Sequence, residues 1–232
     1  RIGGEWLNIA EDAIVPVEKL REWDGTVPKG GWAGVAVWID SAFSSKETSD
    51  RFCISLAGRS NDGRCYLIRQ EFGRFDADER VRVTARFLAD CAADESIGRV
   101  PSAYVQRTTP DIEFMNRAND ALMRAGMRAA ITAYPEKGSV PGKVERANSF
   151  ADAIGNGQVY IMAEHREFRR EASVFPHGQH DDVFDCGMGA LMVLTEAMPS
   201  ASLAKAVASQ MVAADDDSER PDWMPDYSWL RE

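Results

Sequence analysis

Gly34-Val35-Ala36-Val37-Trp38-Ile39-Asp40 is an apolar run that closes on an acid, bounded upstream by the pair Gly30-Gly31. A continuous apolar run of this length, rather than an alternation, predicts a strand buried on both faces. The acid at its end is poorly placed for packing, because a buried carboxylate must be paired or bind a metal ion. Asp40 could equally cap the turn over Ser41 to Lys46, so taken alone it leaves both roles open.

Outward from this run the pattern is regular. Phe52 to Ala57 and Cys65 to Phe72 read as two further strands, and Asn61-Asp62-Gly63 between them is a hairpin signal. The first three strands therefore form an antiparallel meander. Helices and strands then alternate. Asp76 caps a helix to about Cys91, with Val81, Ala85 and Leu88 on one stripe. Ser102 to Gln106 is a short strand. Thr109-Pro110 opens a helix through Ile112, Met115 and Leu122 that ends at Gly126. Met127 to Tyr134 is a strand, Pro141 to Ile154 a helix stopped by Gly155 and Gly157, and Gln158 to Met162 a strand. Glu167 to Val174 is a short helix. His180 to Met198 is apolar nearly all round, which predicts a buried helix, with Gly187 and Gly189 allowing close approach. The expected fold is α/β: a ribonuclease H-like mixed sheet, antiparallel over its first three strands and then parallel, with helices on both faces. Residues 1–31 read as a lead-in segment or linker with a short helix around Val17 to Trp23. Residues 32–200 form the domain, and residues 201–232 an acidic tail.

Composition narrows the function classes. With 232 residues, 44% of them apolar, the chain can bury a substantial core. The run from Val35 to Ile39 is far too short to span a bilayer, and no membrane partner is expected. The four cysteines, Cys53, Cys65, Cys91 and Cys186, form no C-x-x-C pair; buried, reduced thiols are the plain reading. No G-x-x-x-x-G-K-[ST] loop occurs, so nucleotide hydrolysis is not expected. The formal charge is −10, half of it within residues 211–232. Nucleic acid contact would therefore need local basic patches or bridging metal ions. The chain opens on Arg1 rather than Met, so a fragment of something longer is expected.

The remaining candidates are acids at helix starts. His180-Asp181-Asp182-Val183-Phe184-Asp185 opens the buried helix. One acid would serve as a cap there, but this turn carries three, and Asp181 and Asp185, four apart, share a face and repel unless a cation sits between them. Asp111 and Glu113 lie in the first turn of the helix after Gln106, where surface acids are common. Asp111 can point back toward the strand end, and the helix start favours its ionised form; Glu113 projects elsewhere. Lys143 and Arg146 open another helix as solvated charges or as phosphate contacts. His177 and His180, with His165 upstream, lack the i,i+4 spacing of a zinc helix.

Three segments together resemble the nuclease domain of bacteriophage large terminases. They are Val37-Trp38-Ile39-Asp40-Ser41-Ala42; Gly142-Lys143-Val144-Glu145-Arg146-Ala147 with Gly157-Gln158-Val159-Tyr160-Ile161; and Phe175-Pro176-His177-Gly178-Gln179-His180-Asp181-Asp182-Val183-Phe184-Asp185. They occur in the family's order over roughly residues 34–198. The resemblance implies a ribonuclease H-like fold and a metal-dependent DNA endonuclease that cleaves concatemeric viral DNA during genome packaging. It also implies two Mg²⁺ or Mn²⁺ ions, held by Asp40, Asp181, Asp182 and Asp185, with Lys143 and Arg146 near DNA. Implied partners are double-stranded DNA, an upstream ATPase motor, a small terminase subunit and the portal, in the host cell cytoplasm. One departure stands out: Gln106 occupies the place of the family's middle acid, and Asp111 is the substitute. Two other readings stay open, a resolvase-type nuclease of the same fold and a non-catalytic module that binds a packaging or recombination partner.

Overall fold

The computed structural model describes residues 13–41, 51–98, 101–127, 129–134 and 142–195. Seven strands form one sheet: β1 (Arg21–Glu22), β2 (Trp32–Asp40), β3 (Phe52–Ser60), β4 (Cys65–Gly73), β5 (Ser102–Gln106), β6 (Ile131–Tyr134) and β7 (Val159–Ile161). Their spatial order is β1-β7-β4-β3-β2-β5-β6. β2, β3 and β4 are antiparallel, and the other pairings are parallel, as the sequence pattern predicts. The α-helices are α1 (Ala77–Ala93), α2 (Thr109–Arg124), α3 (Lys143–Gly155), α4 (Arg166–Ala172) and α5 (Asp182–Thr195). None among the described residues is long and apolar enough to cross a membrane.

Alternation along β2 shows why its sequence reads as one apolar run. Ala36 and Trp38 belong to a core shared with α3, α4 and α5, while Val35, Val37 and Ile39 belong to a second core shared with α1 and α2. Both faces are covered, so no polar residue is tolerated until Asp40, where the strand leaves the cores and the acid is half-buried. β2 pairs with β3 on one side and β5 on the other, so its end marks the middle of the sheet edge.

Several boundaries differ from the sequence pattern, each for a local reason. The expected helix over Val17 to Trp23 is a 3₁₀ turn, Val17–Lys19, followed by β1. Val15, Val17 and Leu20 are buried in the core, and Trp23 N–H continues the pairing to the Ile161 carbonyl. The later part of the expected linker is thus an edge of the sheet. β6 starts at Ile131 rather than Met127 because Asn119 clamps Ile131: its amide donates to the Ile131 carbonyl and its oxygen accepts the Ile131 N–H, both at 2.8 Å. α2 is capped by Thr108, one residue earlier than expected. α5 begins at Asp182 rather than His180. Pro141, the end of the last helix beyond Thr195, residues 1–12 and the acidic tail lie outside the described residues.

α5 lies against the strands through its glycines. A Cβ on Gly189 would sit 2.7–2.8 Å from Trp38 ring atoms, and one on Gly187 2.7 Å from the Phe168 ring. We expect Gly189→Ala to cost about 1–3 kcal/mol by overpacking, read from urea denaturation. Gly155→Ala, where nothing lies within 4 Å, should be neutral or stabilising through helix propensity.

His165 precedes α4 and is buried, with its Nδ1 accepting the Met162 N–H at 3.2 Å. Burial, reinforced by Arg169, pushes its pKa from 6.5 down to about 4. The fold prefers neutral imidazole, whereas the unfolded chain takes up a proton near its ordinary pKa. Stability from this residue is therefore full above pH 6.5 and is lost as pH falls toward about 4. The loss reaches about 3 kcal/mol. His165→Gln should flatten this part of the acid limb in urea titrations run across that range; an unchanged acid limb would show that His165 titrates freely.

Candidate metal centre

Asp111, one of the acids singled out in the sequence, lies at the edge where β2 and β5 end. These two strands run in parallel, with Ile39 beside Val105. The residue after β2, Ser41, therefore faces the first turn of α2. Its hydroxyl donates to Asp111 Oδ1, and the Thr108 hydroxyl donates to Oδ2. Arg80 fixes Ser41 from behind, donating to its carbonyl at 2.9 Å. Asp111 does point back toward the strand end, as expected, but it is buried beneath these hydroxyls. Burial outweighs both hydrogen bonds and raises its carboxyl above the usual carboxylate range, the reverse of the helix-start expectation. Glu113 is exposed.

Across the sheet, the first turn of α5 is capped from a distance. Glu171 of α4, 2% exposed, accepts the N–H groups of Val183 at 2.8 Å and Phe184 at 2.9 Å through Oε2. Its Oε1 takes Arg51, and Arg51 also donates to Glu167 at 2.6 Å. The backbone donors at the helix start are thus satisfied by a residue eleven positions upstream of Asp182, and the local acids are left for other partners.

Those partners are cations. Lys143 Nζ, at the start of α3, is 2.9 Å from Asp181 Oδ1 and 3.5 Å from Asp185 Oδ2. Arg146, one turn on, places Nη2 2.6 Å from Asp185 Oδ1. Burial by itself would push the Lys143 ammonium down, but Asp185, Asp181 and Asp40 together hold it above the ordinary lysine value. Asp181 and Asp185 thus share one ammonium, and the cation demanded by the i,i+4 acid pair is Lys143. Asp182 diverges from its neighbour: its Oδ2 lies 3.5 Å from Arg51 Nε. Burial raises its carboxyl above the usual range, against the pull of Arg51.

Among the described residues, no three histidine, cysteine, aspartate or glutamate side chains stand close enough to hold a metal ion as placed. The donor chemistry nevertheless fits a hard dication, since Asp181 and Asp185 already share one positive charge through carboxylate oxygens. Gln106 ends β5, half-buried, with no charge to contribute. His177 and His180 remain on the loop before α5. The sequence pattern missed Arg51, Glu167 and Glu171. The spacing of Glu167 and Glu171 by one helical turn, on the same face of a short helix, was the available signal. Ser41 and Thr108, which hold Asp111, carried no such signal.

Glu171 should be the most sensitive of these residues to substitution. Glu171→Ala leaves Arg51 and two buried N–H groups without their acceptor, at a cost of about 3–5 kcal/mol. Glu171→Gln, which retains an acceptor, should cost less; equal stability of Glu171→Ala and the wild-type chain in urea would show that α5 is capped by its own acids.

No protein-family model matches the sequence, and no curated protein does. Solved structures do. The P22 large terminase nuclease domain is 13% identical, with a TM-score of 0.51 over 79% of this chain and 93% of its own. The large terminase nuclease of thermophilic phage G20c, solved with bound zinc, is 14% identical, with a TM-score of 0.47 over 77% and 97%. Thermus thermophilus RuvC, in complex with a Holliday junction substrate, is 16% identical, with a TM-score of 0.35 over 76% and 96%. The mixed sheet, its strand order and the likeness to the P22 domain give one conclusion: the chain has the ribonuclease H-like fold of that large terminase nuclease domain.

Proposed function

We propose that the chain is a metal-dependent endodeoxyribonuclease of the large terminase type, cutting concatemeric viral DNA during genome packaging. The observation that carries this reading is the shared ammonium: Asp181 and Asp185 both reach Lys143. Two carboxylates sharing one cation at the start of a buried helix are a poor design for packing and a good one for hard metal ions. Asp40 would be the central ligand, with Asp181 just before α5, Asp182 and Asp185 in its first turn and Asp111 from α2 completing the set. Bound Mg²⁺ or Mn²⁺ would activate a water and stabilise the leaving 3′ oxygen. The chain's own part is to hold these oxygens in place. Glu171 fixes the start of α5, Ser41 and Thr108 fix Asp111, and Arg146 neutralises the inner side of Asp185. Lys143 and Arg146 are the candidate DNA contacts. An upstream motor, a small subunit and the portal would supply the hold on DNA that an acidic domain lacks.

A second reading, a non-catalytic interaction module, is favoured by Gln106 at the end of β5 and by the absence of a preformed metal cluster among the described residues. Nicking of supercoiled plasmid with Mn²⁺ separates the two. We expect cleavage by the wild-type chain and none by Asp40→Asn or Asp181→Asn, with the stability of each variant within about 1 kcal/mol, since Asp40 is only half-buried and the Lys143–Asp181 pair is partly exposed. Cleavage that survives both substitutions would leave these acids with a structural role alone. At limiting Mn²⁺, Asp111→Asn should cut more slowly and recover as metal is raised, while Glu113→Gln should match the wild-type chain.

A further inference from the structure

Lys143 faces two roles that one ammonium cannot fill together. It neutralises Asp181 and Asp185 at 2.9 and 3.5 Å. It also opens α3 at the rim of the candidate site, its side chain 39% exposed, where a DNA phosphate could be met. Its neighbour Arg146 is differently placed. That guanidinium is 12% exposed and lies 2.6 Å from Asp185, one turn into the helix. Lysine has a flexible four-carbon stem, and Lys143 is the first helical residue, preceded by Gly142, which makes no side-chain cap. The ammonium can therefore swing outward without disturbing α3, whereas Arg146 is held in place by its surroundings.

We propose that Lys143 is an exchangeable counter-ion. In the metal-free chain it occupies the carboxylates of Asp181 and Asp185. A divalent cation that takes those oxygens releases the ammonium, which then binds a DNA phosphate. Metal and DNA binding are coupled through this one side chain, and by linkage each strengthens the other. The inference rests on the nuclease reading and adds to it an order of events: Asp181 and Asp185 are matched by Lys143 and Arg146 while the site is empty, and the site acquires its phosphate contact when the metal arrives. The exchange also limits the cost of leaving several acids close together, since their repulsion is relieved at every stage.

The test uses three proteins: the wild-type chain, Lys143→Met, and Lys29→Met, which removes one exposed charge from a turn elsewhere on the surface. Mn²⁺ binding is measured by calorimetry, and binding of a short labelled duplex by fluorescence anisotropy with and without Ca²⁺. Lys143→Met should bind Mn²⁺ roughly five- to tenfold more tightly, because two partly exposed ion pairs no longer compete. Lys29→Met should match the wild-type chain. Ca²⁺ should strengthen duplex binding more in the wild-type chain than in Lys143→Met; the charge added is equal in both, so the difference reports the released ammonium. Unchanged or weaker Mn²⁺ affinity in Lys143→Met overturns the exchange, while leaving the nuclease reading intact if the wild-type chain binds Mn²⁺. Failure of all three proteins to bind Mn²⁺ overturns both.

Discussion

Glu171 is the constraint on which the geometry of the site rests. One of its oxygens takes two backbone N–H groups at the start of α5, and the other takes Arg51. A buried carboxylate is expensive to desolvate, and here it is met by two amides and a guanidinium. The consequence for the neighbouring acids is direct. In most helices an acid in the first turn serves the exposed amides. In α5 those amides are already satisfied, so Asp181 and Asp185 project toward α3 and meet Lys143 and Arg146. A cap supplied from another helix frees the local acids for other partners.

The same constraint fixes α5 in depth. Gly187 and Gly189 leave room for Phe168 and the Trp38 ring, and the Gln70 amide donates to the Val183 carbonyl at 3.0 Å. Trp38 belongs to β2, two residues before Asp40. The packing that seats α5 therefore also sets the separation between its acids and the strand-end acid. Small changes in that packing reach the site through a contiguous core rather than through a loop. The arrangement suits a site whose ligands come from elements far apart in sequence.

Much of this was legible in the sequence, because the strongest signals were physical. The unbroken apolar run of β2 needed two covered faces, and it has them. The hairpin at Asn61-Asp62-Gly63 forced β3 and β4 to be antiparallel. The pair Asp181 and Asp185 demanded a cation, and Lys143 supplies it. What could not be read depended on tertiary partners. A 3₁₀ turn and a two-residue strand replace the helix expected near Val17 because pairing with β7 outweighs local propensity. Asp111 was expected to be ionised by its helix, yet burial under Ser41 and Thr108 reverses the shift, and Ser41 lies seventy residues away. Arg51 and Glu171 meet across 120 positions, a pairing that no local pattern records. Asp182 could not be told from Asp181 in sequence, and only the position of Arg51 separates them.

The formal charge of −10 at first argues against any contact with nucleic acid. Charge matters to a polyanion as a local field, screened within about 8 Å at physiological ionic strength. At the sheet edge some acids are not bare: Asp181 and Asp185 are matched by Lys143 and Arg146. Asp111 is buried, with its carboxyl pushed toward the neutral form. Asp181 and Asp185 therefore add little to the negative field that the formal charge suggests. On the nuclease reading, a dication arriving there meets carboxylates already ordered for it, and it tips this part of the surface toward positive charge. Such a surface holds DNA through few phosphate contacts, so its affinity should be modest and only weakly dependent on salt. A domain of that kind gains little by gripping DNA for itself, and its cutting is governed by when metal and phosphate are presented together.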